Sequence, residues 1–163
     1  MSIVITGNPG VGKHTVTKKI SEILNFSIVD INIIAKDLGL FEKNENTNDV
    51  DTQKLAKILG ERKLNGKIVV GHLAPYVLEK NQVKIIIILR RNPYDLESVY
   101  KERSYSETKI KENTGSEILG IITHDTIEKF EEKSSGNFIC WFLSITTSIL
   151  SICSLFYIIY KIV

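Results

Sequence analysis

The chain alternates between short, unbroken apolar runs and longer stretches in which apolar residues recur every three or four positions. Residues 2–6, 26–29, 67–70 and 83–89 are the unbroken runs, the last containing four successive isoleucines. Runs of β-branched residues without polar alternation predict strands covered on both faces, and therefore a parallel sheet. Helical spacing predicts helices over residues 13–25, 31–38, 51–63, 92–102 and 106–129. Gly39 suits a helix C-cap and Asn65-Gly66 a turn. Residues 41–49, rich in Asn and Glu, predict an exposed loop, and residues 130–133 a short fifth strand. Strands that alternate with helices in this way predict an α/β fold, with helices on both faces of the sheet.

Composition changes the picture at the C-terminal end. Residues 138–160 contain 23 residues without a charge, 12 of them Phe, Ile or Leu and six Ser or Thr. A helix of that length spans about 34 Å, enough for a hydrocarbon core of about 30 Å. Trp141 lies near one end and Tyr157 and Tyr160 near the other, with Lys161 closing the run, as interfacial anchors would. The expectation is a globular domain over residues 1–137, a linker Ser134-Ser135-Gly136-Asn137, and a single transmembrane helix over 138–160 that leaves the domain facing the cytoplasm. Cys140 and Cys153 fall inside that apolar run with no ligand spacing around them, so they read as small apolar residues. A net charge of +2 with mixed signs gives no footprint for duplex nucleic acid. The opening residues carry no basic segment and read as a core strand, not a signal peptide.

The strongest chemical signal lies between the first strand and first helix. Gly7-Asn8-Pro9-Gly10-Val11-Gly12-Lys13 fits the first seven positions of the phosphate-loop pattern G-x-x-x-x-G-K-[ST]. Glycines let successive N–H groups converge on a phosphate, and the following helix N-terminus adds partial positive charge. Lys13 would bridge β- and γ-phosphates during transfer. Gly10, Val11, Gly12, Lys13, His14 and Thr15 are thus candidate ATP contacts. The eighth position holds His14 where a hydroxyl is usual, and imidazole is a poor ligand for Mg²⁺. Thr15, one step on, is the expected metal contact, with ATP and Mg²⁺ the expected cofactors.

Further segments follow in a recognisable order: Val69-Val70-Gly71-His72, Leu89-Arg90, and Arg103-Ser104-Tyr105-Ser106-Glu107-Thr108-Lys109-Ile110-Lys111-Glu112-Asn113 with Glu117-Ile118. Together with the phosphate loop they resemble the archaeal adenylate kinase family and its eukaryotic nuclear, CINAP-like relatives, over roughly residues 1–136. The resemblance implies a P-loop fold of the nucleoside-monophosphate kinase type, transfer of the ATP γ-phosphate to AMP with tolerance of other monophosphates, and an accompanying ATPase activity. It also implies a part in small-ribosomal-subunit maturation through a ribosomal protein partner. By the same resemblance, residues 28–51 close over the monophosphate, residues 103–112 form a short lid, and Arg103 contacts ATP.

Transfer chemistry needs cations around the moving phosphoryl group. Arg90, at the end of a buried strand, and Arg103 are the catalytic candidates beside Lys13, while Arg91 reads as a surface charge. Asp30, Asp37 and His72 are candidates on the monophosphate side. Two positions depart from the family pattern: Val70 replaces an acid, and Val99 replaces an arginine. Both departures give weight to a second reading, a nucleotide-gated ATPase acting as an assembly factor; a third is a membrane-tethered scaffold that binds ATP without turnover.

Overall fold

The computed structural model describes residues 2–43, 48–130 and 139–144. In chain order the elements are β1 (Ser2–Thr6), α1 (Lys13–Leu24), β2 (Ser27–Asp30), α2 (Ile31–Asp37), β3 (Phe41–Lys43), β4 (Asn48–Val50), α3 (Thr52–Gly60), β5 (Lys67–Val70), α4 (Ala74–Val77), β6 (Val83–Arg90), α5 (Pro93–Glu102), α6 (Glu107–Leu119), α7 (Ile121–Phe130) and β7 (Ile139–Ser144). Five strands form one sheet in the order β2-β5-β1-β6-β7, and every pairing is parallel. Parallel pairing explains the unbroken apolar runs, because successive side chains point to opposite faces and both faces are covered.

The two faces have separate cores. Ile3, Ile5, Ile68, Val70, Ile85 and Ile87 pack against Val16 and Ile20 of α1 and against Leu96 and Tyr100 of α5. Val4, Val69, Ile86 and Ile88 pack against Ile31, Ile34 and Ala35 of α2, Leu55 and Leu59 of α3, and Val77 of α4. Each such aliphatic side chain contributes about 1.5–3 kcal/mol on burial. Gly71, just past β5, sets how closely α2 lies on the sheet. A Cβ there would stand 2.8 Å from Cβ of Ile31, inside van der Waals contact.

Several expectations are corrected by local detail. Residues 106–129 form two helices, α6 and α7, because Gly120 adopts φ 66 and caps α6 with its N–H on Glu117 and Ser116 carbonyls. Phe130 completes the buried face of α7 with Ile122 and Thr126, at helical spacing, and does not start a strand. Within residues 41–49, predicted as loop, β3 and β4 pair antiparallel, with Phe41 opposite Val50 and Lys43 opposite Asn48.

The largest correction concerns the apolar C-terminal run. Its residues Ile139–Ser144 are not helical: they form β7, paired with β6 from Ile85 opposite Ile139 to Arg90 opposite Ser144. Hydropathy cannot separate a buried strand from a helix, and the unpaired backbone groups along β6 need a partner. Among the described residues no helix is long and apolar enough to cross a membrane. Residues 145–160 themselves lie outside the described residues.

Candidate active site

The loop after β1 lies at the C-terminal edge of the central strand and has to turn in very little space. Gly7 adopts φ 135, and a Cβ there would meet the Leu89 carbonyl oxygen at 2.2 Å. Gly10, at φ 83, faces the side chains of Tyr100, Leu96 and Val99, where a Cβ would meet atoms at 3.1, 3.2 and 3.4 Å. Both positions therefore require glycine, and between them the chain is held against β6 and α5. Helix α1 then starts at Gly12 with no side-chain cap. Its first-turn N–H groups are left for a ligand, the usual arrangement for binding phosphate.

Lys13 folds back into this turn. Its Nζ donates to the carbonyl oxygens of Gly7 at 2.8 Å and Asn8 at 2.7 Å, and the residue is only 6% exposed. Burial lowers its pKa to about 8; Arg103 pushes in the same direction, while Asp30 and Glu117 pull back. An amine in this state gains from any anion that reaches it.

Side chains far away in sequence hold the loop's shape. Asn8 donates through Nδ2 to Glu117 Oε2 at 2.6 Å and accepts from Ser116 Oγ at 3.0 Å. The Glu117 side chain, 3% exposed, also accepts from Arg90 Nε at 3.0 Å and from the Arg91 N–H at 3.2 Å. Arg90 makes a second hydrogen bond to the Glu117 carbonyl. On the other side, Tyr100 donates to the Pro9 carbonyl at 2.7 Å, and burial, then Glu117, raises its pKa to about 12. Its ring stacks on Tyr105 at 5.6 Å between centroids, and Lys109 sits 4.3 Å from the Tyr105 ring centroid. The segment from Arg103 to Ser116 is thereby joined to the phosphate loop at two points.

A cavity of about 660 Å³ opens between these parts, a size suited to a small-molecule ligand of a few hundred cubic ångströms. Of the residues predicted from sequence, Gly10, Gly12, Lys13, His14, Thr15, His72 and Arg103 line it. Val11, Arg90, Asp30 and Asp37 do not. Val11 is buried in the core beneath the loop, and Arg90 is occupied by Glu117. Asp30 caps α2 and contacts His14 at its edge, and Asp37 is exposed at the end of α2. Residues that sequence reasoning missed also line the cavity: Asn32, Phe41, Tyr76, Tyr105 and Lys109. Tyr105 and Lys109 stand within the motif over residues 103–113, and Asn32 and Phe41 within the segment over 28–51, so each carried a signal at the level of its segment, whereas Tyr76 carried none. His72 is largely buried, and its pKa is lowered to about 4 by burial and then by Lys13 and Lys109, with Asp30 opposing. It is therefore a neutral hydrogen-bonding group at pH 7. Asn113 Nδ2, on the cavity wall, is buried without a hydrogen-bond partner. A polar ligand would satisfy it.

The divalent cation that travels with ATP normally takes oxygen ligands, most often as Mg²⁺. Position 14 offers an imidazole, and position 70, on β5, offers a buried isopropyl group. The Thr15 hydroxyl lines the cavity but has no carboxylate partner from β5. These donors do not reproduce the all-oxygen arrangement.

A parallel sheet, a glycine turn and a buried lysine at a helix N-terminus define the chain as a P-loop nucleotide-binding protein. A family model described as AAA domain matches residues 3–120. A protein of Thermococcus kodakarensis named "Putative adenylate kinase" is 35% identical over 133 residues, covering 80% of this chain and 72% of that protein. One of the same name from Pyrococcus furiosus is 35% identical over 133 residues, covering 80% and 71%. The chain belongs to this archaeal adenylate kinase family. Its fold is shared by the shikimate kinase from Acinetobacter baumannii in complex with shikimate (TM-score 0.60, 17% identity, 99% of this chain and 91% of that chain). It is shared too by the YorR protein from Bacillus subtilis in complex with phosphorylated GDP (TM-score 0.58, 12% identity, 99% and 97%).

Proposed function

We propose that the protein transfers the γ-phosphoryl group of ATP to a nucleoside monophosphate, AMP in the first instance. The observation that carries this reading is the buried Lys13 amine beside a cavity that Arg103 and Lys109 also line. In the step itself, an acceptor phosphate oxygen forms a bond to the γ-phosphorus as the bond to the β–γ bridging oxygen breaks, and ADP leaves. Lys13 exchanges its two carbonyl partners for phosphate oxygens and meets the charge that builds on the bridging oxygen. Arg103, exposed at the end of α5, reaches the same phosphates when residues 103–112 close, and closure keeps water from the γ-phosphate. Asn32 and Phe41, from the segment over residues 28–51, stand where the acceptor would lie. Arg90 acts by holding Glu117, and through it Asn8, not by touching substrate.

A second reading, ATP hydrolysis that gates a partner interaction, is favoured by one contact. Val99 faces Gly10 of the phosphate loop, so the arginine expected there is replaced by a group that cannot stabilise phosphate charge. Measuring ADP formation with and without AMP separates the two. AMP-dependent ADP formation that falls by orders of magnitude in Lys13→Met, with circular dichroism unchanged, is the expected result. Phosphate release that is indifferent to AMP would replace the kinase by the switch.

A further inference from the structure

We propose that His14 and Asp30 form a divalent-cation site at the phosphate end of the cavity, one that prefers a nitrogen-accepting first-row cation such as Mn²⁺, Co²⁺ or Zn²⁺ to Mg²⁺. The inference rests on the reading of the cavity as an ATP site. His14 Nε2 lies 2.6 Å from Asp30 Oδ2. The ring follows Lys13 directly, borders the cavity and is 68% exposed, so both a cation and a phosphate can reach it, whereas the Asp30 side chain is 10% exposed.

The sheet register gives this pair its meaning. Asp30 stands opposite Val70 in the β2–β5 pairing, as Ile28 stands opposite Ile68. Neighbours in register leave the same face of a sheet, and Ile68 and Val70 face α1. The carboxylate absent from β5 is therefore present one strand over, on the same side, aimed at the residue that replaces the usual hydroxyl. The departure at Val70 from the family pattern and the departure at His14 from the phosphate-loop pattern compensate each other.

The carboxylate is also oriented in advance. Asp30 Oδ1 accepts from the N–H groups of Asn32 at 2.8 Å and Ile33 at 3.2 Å, which turns Oδ2 toward the imidazole. Two adjacent ligands at about 2.1 Å from a metal stand about 3 Å apart at a right angle, so the pair needs to open by only a few tenths of an ångström. The imidazole now donates its Nε2 hydrogen to Oδ2. A cation takes the place of that hydrogen, the ring carries its hydrogen on the opposite nitrogen, and phosphate oxygens, water and the Thr15 hydroxyl complete the shell. Imidazole favours the later first-row metals over Mg²⁺, which requires oxygen.

The test uses the full chain with Mn²⁺ and a non-hydrolysable ATP analogue, read by pulsed electron paramagnetic resonance. Modulation from a directly bound imidazole nitrogen is expected in the wild type and absent in His14→Thr. Analogue affinity is expected to be at least tenfold higher with Mn²⁺ than with Mg²⁺, a ratio that approaches unity in His14→Thr and falls in Asp30→Asn. Analogue bound with Mn²⁺ but without nitrogen modulation would overturn the inference and leave the ATP site standing. No binding with either cation would overturn both.

Discussion

Lys13 is held at an electrostatic cost that should be visible as a pH-dependent stability of the nucleotide-free protein. Its pKa is lowered from 10.5 to about 8, burial being the main cause. The folded state therefore binds the proton less well than the unfolded chain. Below about pH 8 the amine is charged in both states and the whole penalty is present, about 3 kcal/mol from a shift of this size. Between about 8 and 10.5 the unfolded chain holds a proton that the folded chain has released, so stability rises with pH. Above 10.5 this contribution is gone. About 2 kcal/mol of the gain should appear by pH 9.5.

Other groups titrate in the same range, so the comparison is between the wild type and Lys13→Met, whose side chain is similar in length and uncharged. Urea unfolding without nucleotide, at pH 7 and at pH 9.5, gives four stabilities. The methionine variant forfeits the hydrogen bonds to Gly7 and Asn8, about 1.5–3 kcal/mol each while the amine is charged, and any change in them as the amine loses its proton is already contained in the pKa shift. The predicted signal is in the double difference: the stability of Lys13→Met relative to the wild type should fall by about 2 kcal/mol from pH 7 to pH 9.5. Parallel pH profiles would refute the claim that the loop holds its lysine against desolvation. The same measurement at pH 7 with saturating ATP should stabilise the wild type only, because phosphate relieves the penalty in the folded state alone.

Two further outcomes follow from other parts of the fold. Glu117→Ala leaves Asn8 Nδ2 and Arg90 without their carboxylate; since Arg90 is partly exposed, the loss should be about 2–3 kcal/mol in urea unfolding, with KM for ATP raised more than kcat is lowered, and an unchanged KM would show that the loop keeps its shape without the clamp. Ending the chain at Asn137 removes β7 and bares the edge of β6, so that variant should aggregate while one ending at Ile145 stays soluble; equal solubility on gel filtration would show that β6 does not need the strand.

Much of the sheet was legible in the sequence because buried parallel strands are written as unbroken apolar runs, which is how 67–70 and 83–89 were found. The same rule failed at residues 139–144. There a strand sits inside a long uncharged run, whose length predicts a helix although residues 139–144 pair with β6. Gly120 also went unread as a break, since a glycine within a periodic pattern is tolerated as often as it ends a helix.

Spacing alone made the site legible only where its chemistry is local; His72 and Arg103, which also line the cavity, came from the family resemblance. Seven consecutive residues specify the phosphate cradle, so Lys13 and its glycines could be named from spacing alone. The clamp could not be, because Asn8 and Glu117 are 109 positions apart and meet only once β1, β6 and α6 are assembled. Arg90 shows the consequence: its place at a strand end suggested a phosphate contact, and the fold gives it to a buried carboxylate. Val70 and His14 show the converse. Along the chain they read as two unrelated departures, Val70 from the family's pattern and His14 from the general phosphate-loop pattern. Across the sheet, the register that sets Asp30 beside Val70 and within 2.6 Å of His14 makes them two halves of one substitution. A missing donor in such a motif is thus judged against the neighbouring strand before it is counted as lost chemistry.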